Sequence, residues 1–255
     1  MEYLSKLFII CPLVFFAGFV DSIAGGGGII SLPAYVAAGV PYHMALGTNK
    51  FASTLGTSVA TARFIKSGKV NFRAAAVSVP AALFGSWLGA RLALMISEIY
   101  LQYTLVAMLP VLAVFILKSK NFQNETFEKK LSGTAVLVLS AAAGLVVGAY
   151  DGFFGPGTGT FLILIFNTVV GFDILTSSGN AKVINLSSNA AALATFLYTG
   201  NVVVFVGVFA AVFGIAGNYI GSGLALKKGI KLIRPVFIFV LAALMIKIIY
   251  DLIAA

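Results

Sequence analysis

Charge is scarce in this chain: only 10% of its 255 residues are Asp, Glu, Lys or Arg, while 60% are hydrophobic. A soluble domain carries about a quarter charged residues, so a water-soluble enzyme is excluded. Cysteine and histidine are scarcer still. Cys11 alone rules out an internal disulfide, and with His43 as the lone histidine there is no Cys/His cluster for a metal and no cofactor is called for. Nucleophilic catalysis would need a Ser–His or Cys–His pair, and no Gly-x-Ser-x-Gly elbow occurs. An Asp21/Asp151 protease dyad is the only enzymatic arrangement left formally open.

What is abundant is apolar sequence, with a mean hydropathy of +1.04. Runs at about 7–24, 74–95, 99–117, 133–150, 202–224 and 235–253 each approach the ~20 residues that span a bilayer as a helix. The first of them leads straight into a glycine-rich motif, so a cleaved signal peptide is not expected. The net charge of +9 is read by position, for Lys and Arg concentrate in three short segments: Arg63, Lys66, Lys69 and Arg73; Lys118, Lys120, Lys129 and Lys130; Lys227, Lys228, Lys231 and Arg234. That is the pattern of cytoplasmic loops under the positive-inside rule, with the bilayer as partner and no nucleic acid.

The chain is also written twice. Asp21-Ser-Ile-Ala-Gly-Gly-Gly-Gly28, Gly47-Thr-Asn-Lys50 and Phe64-Ile-Lys-Ser-Gly68 recur as Asp151-Gly-Phe-Phe-Gly-Pro-Gly-Thr-Gly159, Gly179-Asn-Ala-Lys182 and Phe196-Leu-Tyr-Thr-Gly200. Gly85-Ser-Trp-Leu-Gly89 matches Gly217-Asn-Tyr-Ile-Gly221 at the same offset of 132 residues. The expected organisation is a first transmembrane repeat at 1–117, a polar cytoplasmic linker at 118–132 and a second repeat at 133–255. Each repeat contains a short apolar run, Ile29–Ala38 or Phe161–Val170, that is too short to cross ~30 Å and reads as a half-helix or a re-entrant segment. A longer polar-speckled helix follows, from Pro41 to about Ile65 or from Asp173 to about Leu197. The loop at 63–73 is basic and its counterpart at 196–202 is not; the loop at 227–234 is basic and its counterpart at 91–98 has only Arg91 beside Glu98. Opposite charge bias in matching loops predicts inverted repeats, in an all-α polytopic membrane protein of about 8–10 segments.

Three features in each repeat carry chemistry. Gly25–Gly28 and Gly155-Pro156-Gly157-Thr158-Gly159 cannot sustain a helix. The helices restarting at Gly27, Gly28, Gly157 and Gly159 would present N–H groups and a positive dipole end to an anion; the alternative is close helix packing. Lys50 and Lys182 lie at membrane depth, where a lysine needs a partner or a wet cavity. With Thr48, Asn49, Asn180 and Asn185 they make candidate anion ligands, and Ser53, Thr54, Thr57 and Ser188 are further candidates for the lining. Their alternatives are snorkelling or ion pairs to Asp21 or Asp151. Those two aspartates are candidates for proton coupling, for helix caps, or for counter-ions. Gly85/Gly89, Gly144/Gly148 and Gly217/Gly221, with Trp87 and Tyr219 among them, are expected to pack helices closely, within one chain or between copies of a homo-oligomer. His43 is expected to cap or sit at the interface, and Arg63 is either a loop charge or a gate residue.

In the stretches Asp21–Pro33, Ala45–Lys50 and Asp151–Gly159 the chain resembles the TauE/SafE, or sulfite exporter, family of membrane transporters. The resemblance extends over both halves with no departure at the motif positions; between the two copies, Pro33 has no proline counterpart, Ile165 standing in its place. It implies a multi-pass protein of the cell membrane that moves small sulfur-containing anions such as sulfite or organosulfonates; the two repeats point to alternating access as the means. A small carboxylate as cargo and a passive anion channel are the alternatives.

Overall fold

Long helices separated by tight turns account for most of the computed structural model, which describes residues 2–101, 103, 131–229, 231, 232, 235 and 236. The first half contributes α1 (Glu2–Ala24), α2 (Gly28–Ala37), α3 (Tyr42–Lys66) and α4 (Phe72–Met95). The second contributes α5 (Gly133–Phe153), α6 (Thr158–Leu164), which continues as a π-helical turn over Ile165–Val170, α7 (Ile174–Tyr198) and α8 (Val204–Lys228). No strand occurs among the described residues. The expected spans at 99–117 and 235–253, the linker with its four lysines, and Arg234 lie largely or wholly outside them.

Polar side chains fix several helix starts. The Asn71 side chain accepts from the Ala74 amide at 3.0 Å, Ser132 from Ala135 at 3.2 Å, and Asp173 from both Leu175 and Thr176. Each supplies a partner for amides that the first helical turn leaves open. α1, α4, α5 and α8 are long and apolar enough to cross a membrane. Their outer faces carry Phe16, Phe84, Leu92, Val146, Val212 and Ile220, all exposed, as hydrocarbon solvent requires. α3 and α7 are as long, 25 residues each, but are studded with Ser, Thr and Asn. They occupy the centre, where the outer helices shield those groups from lipid. The protein is an all-α polytopic membrane protein.

Contacts across the helix pairs fix their directions. Gly214 meets Val14 and Gly221 meets Phe19 and Ser22, so α1 and α8 run parallel; Gly144 meets Ser78 and Gly152 meets Ser86, so α4 and α5 do too. α3 follows α8, from Gly47 beside Asn201 to Arg63 beside Gly223. α7 follows α4, from Gly179 beside Lys69 to the Ser86–Ser188 hydrogen bond. α3 and α7 oppose each other: Gly47 packs on Phe196, Lys50 bonds Asn189, and Thr61 bonds the Lys182 carbonyl. Hence α1, α3 and α8 point one way and α4, α5 and α7 the other. Helices matched by the sequence offset run in opposite senses.

α2 is the predicted half-helix. Its 10 residues rise only about 15 Å. It starts beside Ala17 and Asp21 of α1 and leads back to Gly39, whose carbonyl accepts from the Lys6 ammonium. α3 therefore sets out from the side where α1 began. Two apolar clusters flank the polar centre, one containing Phe64 and the other its counterpart Phe196, both fully buried.

Candidate functional site

The two glycine breaks meet back to back. Gly25, at φ +81°, turns the chain between α1 and α2, and a Cβ there would lie 2.2 Å from the Gly159 carbonyl carbon. Thr160 donates its amide to the Gly25 carbonyl at 3.2 Å and its hydroxyl to the Ala24 carbonyl at 2.8 Å. Only glycine allows both this backbone angle and this approach. The contact brings the end of α1, the end of α5 and the starts of α2 and α6 to one point between α3 and α7.

Around that point the lysines and aspartates pair across the halves. Lys50 of α3 meets Asp151 of α5 at 2.8 Å and donates to the side-chain Oδ1 of Asn189 of α7 at 3.0 Å. Ser188 donates to the same Asp151 oxygen at 2.7 Å. Lys182 of α7 meets Asp21 of α1 at 2.8 Å and also donates to the Asp21 main-chain carbonyl. Asp21 in turn accepts from the Gly27 amide at 3.4 Å. A buried lysine without a counter-ion would be costly in this setting. Each lysine of one half is neutralised by the aspartate of the other.

A small cavity of about 40 Å³ opens between the pairs. One water needs roughly 10–15 Å³ on the same measure, so there is room for a few waters or a small anion and not for a bulky molecule. Asp21, Gly27, Gly28, Asn49, Lys50, Asp151, Gly159 and Asn185, all picked out by the sequence, line it, as do Ser53 and Thr57. Six sequence candidates do not. Lys182 lies behind Asp21; the Thr48 hydroxyl accepts from the Val203 amide; Asn180 donates to the Thr176 carbonyl; Gly157 caps α6 at φ +82°. Thr54 bonds back to the Lys50 carbonyl, and Ser188 is spent on Asp151. The first-turn amides are also partly taken: Ile29 and Ile30 donate to Gly26 and Gly27, and Thr158 donates to Gly155. Gly27, Gly28 and Gly159 are what those termini show to the cavity. Asn189, one of the polar residues grouped around the lysines in the sequence, lines it as well; Thr158, Ser31 and Asn218 also line it and were not selected from sequence.

Arg63 lies outside the cavity. Its guanidinium stacks 4.3 Å above Tyr219 and donates to the Tyr219 carbonyl at 2.6 Å, while Arg91 stacks 4.8 Å from Trp87, the residue matching Tyr219. His43 ties the start of α3 to the far end of α4: its amide bonds Glu98, its ring faces that carboxylate at 3.4 Å, and Nε2 lies 3.1 Å from the carbonyls of Ala93 and Ile96.

The sequence profile described as Sulfite exporter TauE/SafE matches residues 10–248. The chain belongs to this family. Among TauE/SafE relatives, the probable membrane transporter protein YfcA of Escherichia coli K12 is 36% identical over 98% of this chain and 95% of its own length. A probable membrane transporter protein, ORF9, of a Sinorhizobium species is 36% identical over 93% of this chain and 90% of its own. A probable membrane transporter protein of Haemophilus influenzae is 34% identical over 97% and 96%. No solved structure matches the chain. With its apolar outer helices, this TauE/SafE member is a multi-pass membrane transporter and not an enzyme.

Proposed function

We propose that the chain moves a small anion, a sulfur oxyanion or organosulfonate first among candidates, across the cell membrane by alternating access between two inverted repeats, residues 1–117 and 133–255. The observation that carries this reading is the exchanged pairing of Lys50 with Asp151 and Lys182 with Asp21 around one cavity. An oxyanion resembles a carboxylate in charge and in hydrogen-bond acceptors. It can compete for the Lys50 ammonium, with Asn49, Asn185 and Thr57 as further donors. Because both lysines are already neutralised, binding separates a pair that bridges the halves, and separating it loosens one half from the other. This couples occupancy to rocking. The opposed directions of α1 and α5, α3 and α7, and α4 and α8 support the inverted arrangement. The basic ends of α3 and α8 share one side, Arg63 lying against Gly223, which supports placing that side in the cytoplasm.

The test is uptake of radiolabelled sulfite, 2-aminoethanesulfonate and acetate into liposomes. It compares wild type, the neutral double variant Lys50→Met/Asp151→Leu and the charge swap Lys50→Asp/Asp151→Lys. Saturable uptake with counterflow in wild type, lost in the neutral variant although it remains folded, supports the reading. Undiminished transport by the neutral variant removes Lys50 from the site, and flux without saturation or counterflow makes the protein a channel. Uptake of acetate alone assigns a carboxylate cargo.

A further inference from the structure

Asn218 sits on α8, an outer helix, yet its side chain is 3% exposed to solvent and reaches the central cavity. It gets there between two glycines. A Cβ on Gly18 of α1 or on Gly56 of α3 would each lie 2.7 Å from the Asn218 amide nitrogen. Two neighbouring helices thus leave out side chains where Asn218 passes. Its Nδ2 donates to the Gly214 carbonyl at 3.0 Å, which settles the orientation of the amide: the oxygen faces the other way. That Oδ1 is buried and has no hydrogen-bond partner, and the same holds for Oδ1 of Asn49, also in the cavity wall. A buried carbonyl oxygen without a donor is costly.

The matching position in the first half shows that burial here does not by itself leave a polar group open. Ser86 stands 132 residues before Asn218, and it donates its hydroxyl to the Ser188 carbonyl at 2.5 Å. One half closes this position with a hydrogen bond; the other leaves a buried acceptor without a donor, on a residue that lines the cavity.

We propose that Asn218 is a specificity residue of the cargo site, whose Oδ1, with Asn49 Oδ1 beside the same cavity, accepts a hydrogen bond from an O–H or N–H group carried by the anion. The proposal rests on the transport reading above and goes beyond it, naming the cargo as an oxyanion that also bears a donor. The charge balance of the site points the same way. Two neutral ion pairs leave no spare cation, so a singly charged, donor-bearing anion is hosted more readily than a fully deprotonated dianion. A site built around such a hydrogen bond rejects the analogue lacking it, because its own polar group is left unpaired.

The experiment measures competition with radiolabelled sulfite uptake into liposomes holding the full chain. The competitors are 2-hydroxyethanesulfonate, 2-aminoethanesulfonate and ethanesulfonate. Wild type is expected to favour one or both donor-bearing competitors over ethanesulfonate by roughly tenfold; which of the two wins distinguishes a hydroxyl from an ammonium. In Asn218→Leu, and in the smaller Asn218→Ala should leucine fail to fold, that ratio falls to about one whatever the overall rate. Equal competition by all three in wild type, no competition by any, or an unchanged ratio in both variants overturns the proposal while leaving sulfite transport standing. A wild-type dependence on sodium over choline that is lost in the variants, with no donor preference, also overturns it and assigns the oxygens to a cation. No sulfite uptake at all overturns the transport reading and this proposal with it.

Discussion

Two ion pairs built from the same residues in the two halves occupy unlike surroundings. In the Lys50–Asp151 pair both side chains are sealed, 3% and 2% exposed, and Ser188 and Asn189 complete the hydrogen bonding. In the Lys182–Asp21 pair the lysine is fully buried and Asp21 remains 15% exposed, facing the cavity, with only the weak Gly27 amide contact besides the lysine. The difference lies in the helix behind each aspartate. Residue 188 is a serine in α7, and its counterpart in α3 is Gly56, which has no side chain to offer. A duplicated motif therefore yields one pair almost fully buried in the cavity wall and one whose aspartate stays partly exposed there.

The largest effect should come from breaking the sealed pair on one side only. Lys50→Met strands the buried Asp151 carboxylate without its cation and should cost about 3–5 kcal/mol, read as a fall in thermal unfolding temperature in detergent. Lys182→Met should cost less, because Asp21 keeps contact with the cavity; equal losses would erase the distinction between the pairs. Adding Asp151→Leu to Lys50→Met should restore most of the lost stability while transport stays absent. Next comes Gly25→Ala, where φ +81° and the 2.2 Å approach to Gly159 combine backbone strain of about 1–3 kcal/mol with a clash. Poor folding is expected; wild-type stability would mean that the two breaks can separate freely. Ser188→Ala should cost about 1.5–3 kcal/mol, the scale for a hydrogen bond to a charged group, and make the sealed pair resemble the open one. If the unfolding temperature does not move, Ser188 is not what closes it. Smallest is Arg63→Gln, which removes an exposed stack on Tyr219 worth about 0.5–1 kcal/mol. A transport loss exceeding that small shift would give Arg63 a gating role.

Much of the fold was legible because hydropathy and glycine act locally. The expected start of the second span at 74 and its end at 95 compare with Phe72–Met95, and the polar helix expected from Asp173 to about Leu197 runs Ile174–Tyr198. The half-helices follow from length alone: 10 residues cannot cross the hydrocarbon. The site was legible where a residue type is costly at membrane depth, so Lys50, Asp21 and Asp151 stand out without any contact map. It was illegible where a residue is ordinary. Asn218 lies in an apolar stretch beside Gly217 and Gly221, which read as packing glycines, and nothing in its neighbours shows that Gly18 and Gly56 clear its path. Thr48 and Asn180 show the converse: polar and adjacent to the motif, they face Val203 and Thr176 and not the cavity.

By itself the sequence determined the solvent this protein lives in, the places where its helices break, and the two lysines and two aspartates that had to find partners. Those follow from transfer free energies and backbone stereochemistry, which belong to each residue wherever the chain goes. Which aspartate each lysine meets was decided only by the tertiary structure. α1 packs on α8 and α4 on α5, so each half lends its acid to the other. The same packing seals one pair, opens the other and admits Asn218 to the centre. Contacts between residues more than 100 positions apart, such as Lys50 with Asn189 and Thr61 with Lys182, depend on how whole helix faces fit together, a property of the assembled bundle and not of any segment within it.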